Sequence, residues 1–269
     1  MKINFFSTVI RFIKVIKLWL TLFPKMIGNQ SICGSGNVHF IGDGFLTTRP
    51  VGNFTKKTVE SYEKGVFTDT PSHLHRYNYT IFRFQAYNWA VSNALQLEGD
   101  LVEIGVWWGI LSYASIEYHE SKLNNKRFHL VDAFGKLDND SIDEHMSNMP
   151  YISNRSNSKY EEDIFDKVKD RFRGKPVCFH RGYVPEILET DKGIPDKICF
   201  LSLDLNNSEA ERKSIEFLWD RIVKGGYIYL DDYGCQGHED TRLMYDNFFE
   251  DKGCNILITP FSSALVVKI

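Results

Sequence analysis

Apolar positions in this chain follow two periods. From residue 101 onward, short apolar runs alternate with stretches spaced as amphipathic helices. The runs LVEIGV (101–106), RFHLVDAF (127–134), PVCFHRG (176–182), KICFLSLDL (197–205) and GGYIYLDDYG (225–234) predict strands. Residues 109–122, 160–172, 208–223 and 238–251 predict helices between them. NILITP (255–260) and SALVVKI (263–269) predict a closing hairpin. Strands alternating with helices predict an α/β fold with a doubly wound, mostly parallel sheet. The hairpin adds an antiparallel edge. Residues 136–158, rich in Asn, Ser and Asp, show neither period and are expected to be an insertion or lid.

The first hundred residues are patterned differently. Residues 79–97 have helical spacing ending before Gly99, whereas residues 28–78, rich in Gly, Asn, Ser and Thr, predict loops with a short hairpin. Residues 1–42 hold Lys2, Arg11, Lys14, Lys17 and Lys25 and no acidic residue. This basic amphipathic leader carries +5; the whole chain is −3, so the remaining residues carry −8. Charges every three residues break up the apolar stretch, which is not the pattern of a signal peptide. Two expectations stand for residues 1–25: an interfacial helix in peripheral contact with an anionic membrane, or a docking element that forms a homo-oligomer.

Composition narrows the classes. With 269 residues, 43% of them hydrophobic and 25% charged, the chain is neither disordered nor fibrous. No stretch reaches the roughly 18 apolar residues of a membrane span. Near-neutral charge argues against a nucleic-acid partner. The five cysteines, Cys33, Cys178, Cys199, Cys235 and Cys254, are odd in number and form no CxxC pair. They are expected to be buried free thiols in a cytoplasmic protein.

Candidate chemistry lies at the predicted strand ends. Glu103-Ile104-Gly105-Val106-Trp107-Trp108-Gly109 closes one strand. Gly105 permits a tight turn and a close ligand, and Gly109 opens the next helix. The G-x-x-x-G spacing is not the dinucleotide fingerprint. A carboxylate at Glu103 would repel a pyrophosphate and suits a cationic ammonium. Asp132 closes the next strand, before Ala133-Phe134-Gly135. An acid there accepts ribose hydroxyls, or else caps a turn. Together the two acids describe an adenosine bearing a cation, which is S-adenosylmethionine. Asp204, Asp231 and Asp232 end two further strands. Three converging carboxylates repel unless a cation or protons intervene, and an all-oxygen set selects Mg²⁺ or another hard divalent ion. The alternative is that these residues cap helices. His238 is a candidate general base or a helix-start residue. His180 is expected in the core or at its rim, and His73 and His75 lack further ligands for zinc. No G-x-S-x-G, Walker or H-E-x-x-H motif occurs.

VEIGVWWG, HLVDAFGKL, FLSLDLNNSEAER and GGYIYLDDYGCQGHED together resemble the macrocin O-methyltransferase family over about residues 98–269. The resemblance implies a Rossmann-like class I methyltransferase domain at 98–269, preceded by the leader (1–42) and a loop and helical extension (43–97). It implies S-adenosylmethionine-dependent, Mg²⁺-assisted O-methylation of a sugar or polysaccharide-precursor hydroxyl. Glu103, Gly105, Gly109, Asp132 and Phe134 would then form the cofactor set, and Asp204, Asp231 and Asp232 the metal set. Asp204 or His238 would take the proton. Trp108 stands where the family commonly has Arg. The rival expectations are a non-catalytic cofactor-binding or assembly protein with this fold, and a nucleotide-sugar transferase.

Overall fold

The computed structural model describes residues 40–42, 45–47, 54–135, 163–235 and 237–269. The leader up to residue 39, Cys33 and the expected lid at 136–158 lie outside them. The chain divides into two compact units: residues 1–40 with 46–50, and residues 41–45 with 51–269. Phe40–Gly42 (β1) and Phe45–Thr47 (β2) are short strands of a two-stranded sheet.

The larger unit is built on a seven-stranded sheet. Its strands are Asp100–Ile104 (β3), Phe128–Asp132 (β4), Val177–Arg181 (β5), Ile198–Leu203 (β6), Ile222–Leu230 (β7), Ile256–Ile258 (β8) and Ala264–Val267 (β9). They lie in the order β5-β4-β3-β6-β7-β9-β8. The first five pair in parallel, and β9 pairs antiparallel with both β7 and β8. The doubly wound sheet and its antiparallel C-terminal hairpin are as expected. Chain order reverses between β3 and β6, which is the topological switch point where ligands of such sheets bind.

Central strands are apolar because both faces are covered; all six residues of β6 are buried. Lys56–Phe67 (α1), Ile81–Ala94 (α2), Ile110–His119 (α3) and Phe165–Arg171 (α4) are helices of this unit. Residues from α2, α3 and α4 join Leu101, Phe128, Phe200 and Tyr229 in one core. Glu186–Thr190 (α5), Ser208–Leu218 (α6) and Glu239–Asp251 (α7) serve the other face. There Leu188, Ile215, Tyr245 and Phe249 meet Val102, Val131, Leu201 and Ile228. Helix α6 starts on Asn207, whose side chain accepts the Ala210 amide at 2.8 Å, with Glu209 and Glu211 in the first turn to complement the helix dipole.

Two differences from the expected elements have physical causes. Residues 56–67, expected as loop, form α1 with Thr55 as N-cap. Its buried positions include Thr58, Ser61 and Gly65, small or polar residues that carry no hydrophobic signal. The helix expected through residue 223 ends at Leu218, followed by a 3₁₀ turn (219–221), and β7 begins at Ile222. Cysteines also depart from expectation. Cys199 and Cys254 are buried, but Cys178, on the edge strand β5, and Cys235 are half-exposed; all four are free thiols. His180 is buried, bonded to Asp191 at 2.7 Å and to His129 at 2.9 Å. Among the described residues no helix is long and apolar enough to cross a membrane.

Candidate functional site

The site is assembled by the carboxyl ends of β3, β4, β6 and β7. Gly105 leaves β3 at φ +82°, and a Cβ there would lie 1.8 Å from the Asp204 carbonyl oxygen. No other residue fits, and this contact brings the β3 turn against the end of β6. Gly109 begins α3 at φ +59°, with Phe172 where a Cβ would go. Trp107, Phe134 and Asn206 hold positive φ at neighbouring strand ends. Such strained non-glycine backbone clusters at functional sites.

Glu103 is 5% exposed. Burial pushes its carboxyl up to about 8; Asp231 and Asp132 push the same way, while hydrogen bonds from Ser112 and Tyr87 pull it down. A carboxyl kept largely protonated at neutral pH is a latent negative charge that a bound cation would reveal.

Asp132 was expected to face a ribose. Its Oδ2 accepts the amides of Val106 (2.7 Å) and Trp107 (2.8 Å), and its Oδ1 accepts that of Phe134 (2.6 Å). Three backbone donors commit this carboxylate to shaping the β3 turn, leaving only remaining lone pairs for a hydroxyl. Phe134, expected at the cofactor, turns its ring into the core at 1% exposure, against Phe165 and Phe179; its amide is what reaches the site. Trp108 is likewise a core residue.

One ligand oxygen from each of Asp204, Asp231 and Asp232 lies within 4.8 Å of the others, so the expected triad does converge. It is the only such group of three acidic, His or Cys side chains among the described residues. Burial and the neighbouring Asp231, Asp232 and Glu211 hold the Asp204 carboxyl well above the usual range, against the pull of Arg83. Burial also raises Asp232, but Arg83 and His238 outweigh it and hold this carboxyl low. His238 is 2% exposed and its Nε2 stands 3.7 Å from Asp232 Oδ2, beside the triad.

Four contributors were not found from sequence. Arg83, on α2, donates from Nη1 to Asp231 Oδ2 at 2.7 Å and to Asp232 Oδ1 at 3.1 Å. One turn along α2, the Tyr87 hydroxyl faces Glu103 at 3.5 Å, and Ser112 bonds the same carboxyl from α3. Glu211 takes the Leu205 amide at 3.0 Å and the Tyr245 hydroxyl at 2.7 Å, fixing the turn after Asp204. Glu209, by contrast, is exposed and pairs with Arg212. All four depend on packing between segments that no local pattern links.

Chemically, the arrangement offers a buried acid beside a glycine turn and an all-carboxylate cluster one strand away. The family model of macrocin-O-methyltransferase (TylF) matches residues 54–261. The chain is similar to the solved structure of the O-methyltransferase NovP, with TM-score 0.57 and 23% identity over 71% of this chain and 81% of that one. It is also similar to CalS11, a calicheamicin methyltransferase, with TM-score 0.56 and 12% identity over 88% and 99% of the two chains. A second CalS11 structure, described as a TDP-rhamnose 3′-O-methyltransferase, has TM-score 0.50 and 12% identity over 81% of this chain and 96% of that one. At these identities the structural likenesses establish the fold. No curated protein matches the sequence.

Proposed function

The chain belongs to the macrocin-O-methyltransferase family, whose model covers most of it, and is an S-adenosylmethionine-dependent methyltransferase; from that premise we propose that it methylates a sugar hydroxyl with the help of a divalent cation. The observation that carries this reading is the convergence of Asp204, Asp231 and Asp232 beside the Gly105 turn. The donor set fits a hard ion: all ligands are carboxylate oxygens, close enough to share one centre. A divalent cation held by these three residues would polarise the acceptor hydroxyl and lower its pKa.

The residues divide the remaining work. Glu103 would hold the cationic methionine end of the methyl donor, and its carboxyl would ionise with that charge beside it. Gly105 lets the donor approach the backbone closely, and Asp132 fixes the turn through the Val106 and Trp107 amides. The bound donor would supply a methyl on a sulfonium; as the acceptor oxygen gains the O–CH₃ bond, the S–CH₃ electron pair would return to sulfur as a thioether. Asp204 takes the hydroxyl proton, while His238 stands 3.7 Å from Asp232. A sugar acceptor is supported by the class of CalS11, whose described substrate is TDP-rhamnose.

The test is methyl transfer by Asp231→Asn/Asp232→Asn across a panel of sugar acceptors. Loss of at least about 100-fold, matched by EDTA on the unaltered protein, is expected from removing a charge stabiliser of several kcal/mol. Full transfer by the variant in EDTA refutes the metal role. Separately, S-adenosylhomocysteine binding by calorimetry checks the donor site.

A further inference from the structure

Two groups of opposite charge compete for the same oxygens. Arg83 Nη1 stands between Asp231 Oδ2 and Asp232 Oδ1, at 2.7 and 3.1 Å. The other oxygens are engaged too. Asp231 Oδ1 accepts from the Tyr229 hydroxyl at 3.0 Å, and Asp232 Oδ2 lies 3.7 Å from His238 Nε2. The Cys235 thiol donates to Asp232 Oδ1 at 3.1 Å, and Arg83 Nη2 reaches that sulfur at 3.6 Å. The arginine is therefore anchored in the cluster, with its side chain only 14% exposed.

We propose that Arg83 is a built-in countercation of the metal carboxylates, which pairs with both Asp231 and Asp232 and offsets one of their two charges in the metal-free protein, and must yield at least one of them when a divalent cation enters. The proposal rests on the metal reading above and adds to it a residue that sets the site's affinity. The geometry sets the two cations in competition. A hard ion sits about 2.1 Å from its ligand oxygens. Bound to Asp231 Oδ2, it would lie within about 5 Å of Nη1, and the two positive charges would repel in a poorly solvated setting. A guanidinium stays protonated under all working conditions, so this competition is removed only by movement. Arg83 stands on α2, whose Tyr87 faces Glu103, and its long side chain can yield without moving that helix.

The experiment is a Mn²⁺ titration followed by the electron paramagnetic resonance of free Mn²⁺, on unaltered protein, Arg83→Met, Arg83→Lys and Asp231→Asn/Asp232→Asn. Arg83→Met should bind Mn²⁺ about tenfold more tightly or better, Arg83→Lys should fall between, and the double Asn variant should lose binding. If the unaltered protein binds Mn²⁺ and Arg83→Met binds it no more tightly, the Arg83 proposal fails and the metal reading stands. If neither binds Mn²⁺, both fail. Because Arg83→Met can misfold with its carboxylates uncompensated, a second measurement uses unaltered protein alone. Phenylglyoxal labelling of Arg83, quantified by peptide mass, should rise severalfold on adding Mn²⁺ to saturation. Unchanged or reduced labelling at saturating Mn²⁺ overturns the proposal.

Discussion

Glu103 shows what a single buried residue contributes and how far it could be read. Its strand-end position and the glycine after it are visible in VEIGVWWG, but its raised pKa comes from packing. The carboxyl titrates near 8 when folded and near 4.5 when exposed, so between those values the folded state holds more protons than the unfolded one. The Glu103 contribution to stability is therefore full below about pH 4.5 and is lost as pH rises toward 8. Glu103→Gln should flatten that part of the pH–stability curve, measured by urea unfolding at pH 5 and pH 8. The same shift has a binding signature. S-adenosylhomocysteine carries an ammonium, so its binding near pH 7 should release close to one proton per site, approaching zero above about pH 9. Calorimetry in buffers of differing ionisation enthalpy reads this directly, and Glu103→Gln should abolish it. Arg83 marks the opposite limit of legibility. Its partner Asp231 lies 148 residues away, and no local pattern connects them.

At the scale of elements, the strands were legible because a two-sided parallel sheet demands continuous apolar runs. Helix α1 was not, because Tyr62 and Val66 are its only buried apolar residues, the other buried positions being Thr58, Ser61 and Gly65. What fixes it is a residue from another segment. Arg171, 3% exposed, donates to the Thr68 carbonyl at 3.0 Å and to the carbonyls of Gly65 and Trp108. Its guanidinium also lies 4.4 Å over the Tyr113 ring. Thr68 caps the C-terminus of α1, where unbonded carbonyls and the negative end of the helix dipole favour a cation. Trp108 belongs to the β3 turn, so one side chain ties α1, α4 and the donor site together. Arg171→Met leaves two buried carbonyls and a half-buried one without this donor and should cost about 3–5 kcal/mol in denaturant unfolding. Arg171→Lys should recover only part, because an ammonium does not reproduce the planar fork. A loss under about 1 kcal/mol for Arg171→Met would show that water replaces the arginine and that α1 does not depend on it.

For the whole molecule, the alternation of strands and helices foretold the sheet, and the sheet explains why acids scattered from residue 103 to 232 meet at one edge. The −8 of residues 43–269 is thus unevenly spread. Glu103, Asp132, Asp204, Asp231 and Asp232 gather where β3, β4, β6 and β7 end, with Arg83 paired to two of them. Like charges held together in a partly dry setting oppose folding until a ligand neutralises them. Function and stability therefore pull apart at this edge. Asp204→Asn keeps the shape, removes a carboxyl that burial and its acidic neighbours already disfavour as an anion, and should raise the melting temperature of ligand-free protein at pH 8. The same variant should lose the further rise that Mn²⁺ gives the unaltered protein, since it lacks one of the three ligands. Paired thermal scans with and without Mn²⁺ check both halves. A lower melting temperature for ligand-free Asp204→Asn would mean that Asp204 stabilises the fold as an ion, and that the acids at this edge are paired more completely than Arg83 alone provides.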